Sequence, residues 1–185
     1  DLDTWTDYAE NPLIGGDGKL YRTDNFRDPY VFFHEGEQQW WILIGAREID
    51  PPGQRSGCVA LLKSRDLYNW ELAPPLWAPR IGPHTDCPQL IRENDRWYLI
   101  YLQRHTRYRF ADSLEGPWRR APIRDIGSRF AAAGSRPATD GKRWISFPHL
   151  AGFTPEAIAR GALPVPRQWE FHDDGSITQH VPSEI

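Results

Sequence analysis

Two aspartates stand out for the chemistry their positions allow. Asp28 lies in Phe26-Arg27-Asp28-Pro29 and Asp86 in Thr85-Asp86-Cys87-Pro88. Asp28 stands directly before Pro29 and Asp86 two residues before Pro88, and each proline heads an apolar run. A carboxylate there either caps a turn or pairs with a guanidinium such as Arg27 or Arg47, or it projects from a strand end toward a ligand shared with other such groups. For a single Asp-Pro the first use is favoured. If the two prolines are equivalent, Asp28 aligns with Cys87, and Asp86 sits one residue earlier with its direction set by the local twist. His84 is two residues before Asp86. The histidines show no His-x-x-His or carboxylate spacing, and Cys58 and Cys87 are not at metal-like spacing, so no metal is expected. The two cysteines read as unpaired thiols. No motif for an organic cofactor is present, and none is expected.

Composition narrows the partners. Lys plus Arg number 22 against 25 Asp plus Glu, for a net charge of −3, and no basic block attracts phosphate backbones or anionic lipid, so neither nucleic acid nor membrane is expected. Apolar runs such as 40–44 and 99–102 are far shorter than a bilayer-spanning helix requires. With 185 residues the chain is long enough to bury a core without staples, and it reads as one domain, 1–185. Methionine is absent even at position 1, which reads as a chain separated from its natural start, and no signal-peptide pattern is visible.

The elements that must position these aspartates are strands. Seventeen prolines and 15 glycines break the chain into short pieces, and nine tryptophans suit pleated, half-buried surfaces, so the expected class is all-β. Strands are expected at 29–33, 39–45, 57–63, 70–72, 88–91, 97–103, 108–111, 118–120, 143–147, 168–172 and 176–180, with a brief helical pattern only at 155–160. A strand-turn-strand unit recurs. Asp28-Pro29-Tyr30-Val31-Phe32 with Gln39-Trp40-Trp41-Ile42-Leu43 corresponds to Cys87-Pro88-Gln89-Leu90-Ile91 with Arg96-Trp97-Tyr98-Leu99-Ile100, and Lys142-Arg143-Trp144-Ile145 is a worn third copy. A second signature, Ser64-Arg65-Asp66-Leu67-Tyr68-Asn69-Trp70, returns as Ala111-Asp112-Ser113-Leu114-Glu115-Gly116-Pro117-Trp118, with the two tryptophans 48 positions apart. That period suits four-stranded antiparallel propeller blades. The expected segments are 25–79, 85–123, 129–150 and 163–181, preceded at 1–14 by the tail of another blade. An arc of three to four blades has open edges, which either a preceding segment or a second copy of the chain must cover.

Asn25-Phe26-Arg27-Asp28-Pro29-Tyr30-Val31-Phe32 resembles the Arg-Asp-Pro motif of glycoside hydrolase family 32, the β-fructofuranosidases, levanases and inulinases, and of the related family 43. Residues 57–70, 85–90, 108–118, 125–141 and 163–181 are similar, in order, to later parts of that five-bladed propeller, so the resemblance covers nearly the whole chain. It implies a partial five-bladed β-propeller and a funnel-shaped sugar site. Carried over by position, Asp28 is the transition-state stabiliser and Asp86 occupies the place of the general acid, where the family has Glu. The family's nucleophile belongs to an Asn-Asp-Pro motif that this sequence lacks. Arg27, Arg47 and His84 are the expected substrate contacts, and a carbohydrate is the expected substrate. The competing expectation is a propeller that binds sugar or assembles with partners after losing catalysis, motivated by Asp in place of Glu and by the absent nucleophile.

Overall fold

A computed structural model describes residues 3–50, 53–103, 105–123, 125–129, 135–137, 141–147 and 165–183. Among them are twelve strands, no α-helix and one short 3-10 turn at Gly53–Arg55, and no helix is long and apolar enough to cross a membrane. The residues 155–160, expected to be helical, lie outside the described residues. Two compact units divide the chain, Asp1–His84 and Thr85–Ile185.

In the first unit, β1 (Tyr21–His34), β2 (Gln39–Glu48), β3 (Gly57–Ser64) and β4 (Glu71–Trp77) form one antiparallel sheet in chain order. Alternation along the central strands gives this sheet two apolar faces. On one, Ile42, Ile44 and Ala46 of β2 join Cys58, Ala60 and Leu62 of β3 and Tyr21 of β1, and Ile14, Leu20, Phe26, Trp70 and Leu72 pack against them. On the other, Trp41, Leu43, Val59 and Leu61 are buried as well. The chain enters the sheet through a turn tied by Asp17, whose Oδ1 accepts the N–H groups of Lys19, Leu20 and Tyr21 at 3.1, 2.9 and 2.9 Å. The Ser64 to Trp70 signature proves to be turn chemistry. Ser64 Oγ accepts from the Asp66 and Leu67 N–H groups, Asp66 Oδ1 accepts from those of Tyr68 and Asn69, and the Trp70 indole N–H donates to the Leu67 carbonyl at 2.9 Å.

In the second unit, β5 (Asp86–Glu93), β6 (Arg96–Gln103), β7 (His105–Ala111) and β8 (Asp125–Arg129) make one four-stranded sheet. Another is made by β9 (Ser135–Pro137), β10 (Trp144–Ser146), β11 (Arg167–Phe171) and β12 (Ile177–His180), in spatial order β12-β11-β10-β9. The core between them holds Ile91, Tyr98, Ile100, Tyr108, Phe110 and Ile126 with Trp169 and Ile177, and Trp144 and Phe171 pack against it. Tyr108 joins the two sheets, its hydroxyl donating to the Ile123 carbonyl at 2.5 Å and accepting from the Ile177 N–H at 3.0 Å.

Several elements differ from the sequence reading. β1 begins eight residues earlier than the expected 29, because Tyr21 is tied into the core while polar residues 22–24 bulge outward. Residues 118–120 make only an isolated bridge, Phe110 with Arg119. The outer strand of that sheet is instead β8, which has too few apolar residues to be read from pattern. Strands from the segments 129–150 and 163–181 belong to one sheet, β12-β11-β10-β9.

Candidate active site

The positions of the two aspartates follow from a pair of matched bulges. In β1, Arg27 pairs with Gly45 and Tyr30 with Leu43, so Asp28 and Pro29 together oppose one residue of β2. In β5, Asp86 pairs with Leu102 and Gln89 with Ile100, so Cys87 and Pro88 oppose one residue of β6. Proline cannot donate to a ladder, and a bulge on the first strand of a sheet accommodates it. Each bulge turns on a left-handed residue, Asp28 at φ 60° and Cys87 at φ 50°. This resolves the register that the sequence left open. Asp28 is equivalent to Cys87, and Asp86 is equivalent to Arg27, the last regularly paired residue before the bulge. A left-handed conformation immediately before proline is strained for a non-glycine residue and costs about 1–3 kcal/mol.

The Arg27 guanidinium lies 3.8 Å from the Asp28 carboxylate, and both side chains are part-exposed. Three residues upstream Asn25 is buried, and its Nδ2 lies 3.5 Å from Nδ1 of His84, with Oδ1 also buried. His84 ends a segment that crosses the start of β3, where the Gly57 N–H donates to the Gly82 carbonyl at 3.0 Å. A Cβ on Gly57 would stand 2.6 Å from the His84 nitrogen, so only glycine admits this crossing. Arg47 is engaged in fixing a turn, donating from Nε to Ser56 Oγ at 2.9 Å and from an Nη to the Gly53 carbonyl at 2.7 Å. Asp24 is held by a two-pronged pair with Arg22, which lowers its pKa to about 2. Beside the ladder Glu48 is buried, and burial raises its pKa despite Arg80 at 3.9 Å. Burial likewise pushes the Cys58 thiol up to about 12, which leaves it an inert core residue.

Of the residues singled out from sequence, Arg27, Asp28, Arg47 and His84 belong to the first unit and Asp86 to the second. The structure joins Arg27 to Asp28, and it joins His84 to Asn25, a partner not anticipated. The missed signal was a polar residue inside the very motif that carries Asp28. Neither Cys58 nor Cys87 is joined in a disulfide. Among the described residues, no three His, Cys, Asp or Glu side chains gather as a metal site would require.

The family model described as "Glycosyl hydrolases family 32 N-terminal domain" matches residues 1–114. Raffinose invertase of Escherichia coli is 29% identical over 184 residues, spanning 87% of this chain and 37% of that protein. Levanase of Bacillus subtilis (strain 168) is 28% identical over 196 residues, spanning 89% of this chain and 27% of that protein. The chain therefore spans about a third of the length of these curated relatives. Among solved structures, fructan 1-exohydrolase IIa from Cichorium intybus superposes with a TM-score of 0.68 at 20% identity, covering 98% of this chain and 39% of that one. Bacillus subtilis levansucrase superposes with a TM-score of 0.66 at 13% identity, covering 92% and 56%. The likeness in structure is one of fold, the β-propeller built of four-stranded antiparallel blades.

Proposed function

The chain belongs to glycosyl hydrolase family 32, and on that premise we propose that the protein hydrolyses fructosides or related furanosides. In this reading Asp86 protonates the leaving oxygen and then takes a proton from the incoming water. Asp28 accepts hydrogen bonds from sugar hydroxyls, and these strengthen as positive charge builds at the anomeric carbon. Arg27 and His84 bind sugar hydroxyls beside Asp28. Arg47 is the weaker candidate for such contact, because two of its donors already hold the 53–56 turn.

The observation that carries this reading is the pair of bulges. Each stores backbone strain at a proline-linked acid motif, in equivalent places on the first strand of its sheet. Strain of that kind persists only where the surrounding structure over-determines it, and it clusters at functional sites. Asp in place of Glu shortens the acid's reach by one methylene, and a displacement of about 1 Å can cost on the order of a hundredfold in rate. The attacking carboxylate of a retaining mechanism is assigned to no residue of this chain, whose 185 residues contain no Asn-Asp-Pro.

The test is turnover of sucrose, inulin, levan and an aryl arabinofuranoside by the full protein that contains this chain, with Asp28→Ala and Asp86→Ala alongside. Loss of an acid or base group predicts kcat falling by about 10²–10⁴-fold. Unchanged turnover in both variants overturns the assignment. The second reading, a sugar-binding propeller without catalysis, rests on Asp in place of Glu and on the missing nucleophile motif. Saturable fructan binding without turnover would favour it.

A further inference from the structure

Asn25 is an asparagine where the sheet would otherwise bury an apolar residue. It is 8% exposed, and a buried amide is retained only where its hydrogen bonds do something specific. Its side chain has one protein partner among the described residues, the His84 ring, while Oδ1 is buried without one. At 3.5 Å the contact is long, and it joins the buried Asn25 amide to the His84 ring. The backbone on both sides is fixed. Asn25 lies within β1, and the 82–84 segment is pinned across Gly57, where no side chain fits. The imidazole therefore has little freedom beyond its own torsions and its tautomer.

We propose that Asn25 is a positioning residue that holds the His84 ring with a bare Nδ1, so that His84 presents Nε2–H to a hydroxyl oxygen of the ligand. The amide N–H donates to Nδ1, which requires the neutral ring to carry its hydrogen on Nε2. A neutral donor of fixed direction suits a polyol, whose oxygens accept hydrogen bonds and carry no charge to attract a cation. The sugar-facing half of this inference rests on the fructoside reading above, whereas the Asn25–His84 half does not.

Nitrogen-15 NMR of the imidazole, on the full chain at a pH where His84 is neutral, tests the first half. The wild type should give the Nε2–H signature and Asn25→Leu a mixture of tautomers. Asn25→Asp, closest in shape should Asn25→Leu fold poorly, should turn the ring to Nδ1–H. Titration with an inulin-type oligosaccharide tests the second half. Asn25→Leu and His84→Asn should bind about tenfold more weakly, as loss of one oriented hydrogen bond predicts. His84→Gln, whose amide nitrogen reaches the Nε2 position, should bind more tightly than His84→Asn. An unaltered tautomer in both folded Asn25 variants would overturn Asn25's part. Equal weakening in His84→Gln and His84→Asn would overturn the role of Nε2. If the wild-type chain and the full protein both fail to bind or cleave any fructoside, the functional reading falls and takes the sugar-facing half with it, while the tautomer result still decides what Asn25 does.

Discussion

At Asp28 a single torsion angle separates what the residue costs from what it offers. A φ of 60° is tolerated by Asp better than by Ala, and by Gly best of all. Asp28→Gly should therefore be more stable than Asp28→Ala by about 1 kcal/mol, although both lose the carboxylate. Urea denaturation midpoints measure this, and equal midpoints would mean that the bulge relaxes without strain. The same scale governs pH. Hydrogen bonds hold the Asp17, Asp24 and Asp66 carboxyls below the ordinary 3.8, so the unfolded chain takes up their protons first. Their contribution is present above about pH 4 and is lost as pH falls toward their folded values. Glu48 runs the other way. Burial raises its pKa above 4.5, so its contribution is full below that value and is lost as pH rises through the folded one. Glu48→Gln should therefore gain stability relative to the wild type at pH 7 but not at pH 4, read from urea midpoints at the two pH values. A difference that is the same at both would show that the Glu48 pKa is not raised by folding.

The bulge is also where the legibility of the sequence changes at the scale of elements. The matching prolines, Pro29 and Pro88, were visible as a repeat, and so were the hairpins that follow them. The one-residue offset between Asp28 and Asp86 followed from aligning those prolines, but the local turn that sets their directions did not, because it depends on which residue turns left-handed, and neither Asp nor Cys announces that. Likewise the Ser64 to Trp70 signature was legible as a recurring unit, yet only the structure shows it to be a capped turn whose side chains satisfy its own backbone. β8 and β9 escaped because short strands at the outer or inner edge of a sheet need few apolar residues. Gly57 carries the clearest element-scale prediction. A methyl group there meets Gly82, Pro83 and His84 backbone atoms at 2.6–2.8 Å, so the crossing segment must move. Gly57→Ala should cost about 1–3 kcal/mol by overpacking. It should also shift the His84 ring resonances, and an unchanged ring spectrum would show that the crossing is not what places His84.

On the scale of the molecule, stability is distributed over two cores with different contents. The first unit has an aliphatic one, Ile42, Ile44, Ala60 and Leu62 around Tyr21, and the second an aromatic one joined by Tyr108. Tyr108→Phe removes a donor from the Ile123 carbonyl and an acceptor from the buried Ile177 N–H, a change expected to cost about 1–3 kcal/mol. Hydrogen exchange should show protection lost first at β7 and β12, and loss that begins in β2 and β3 instead would contradict this division. Sequence alone determined the strand-rich class and the blade-like repeat, because proline, glycine and tryptophan spacing reports local backbone geometry, and the family was legible from the resemblance carried by the Arg-Asp-Pro motif and the segments that follow it in order. Tertiary structure alone decided which residue of each motif turns, that Arg47 serves a turn, and that Asn25 meets His84, 59 positions away. Those contacts join residues far apart in the chain, and only packing, which sums many weak and distant interactions, brings them together.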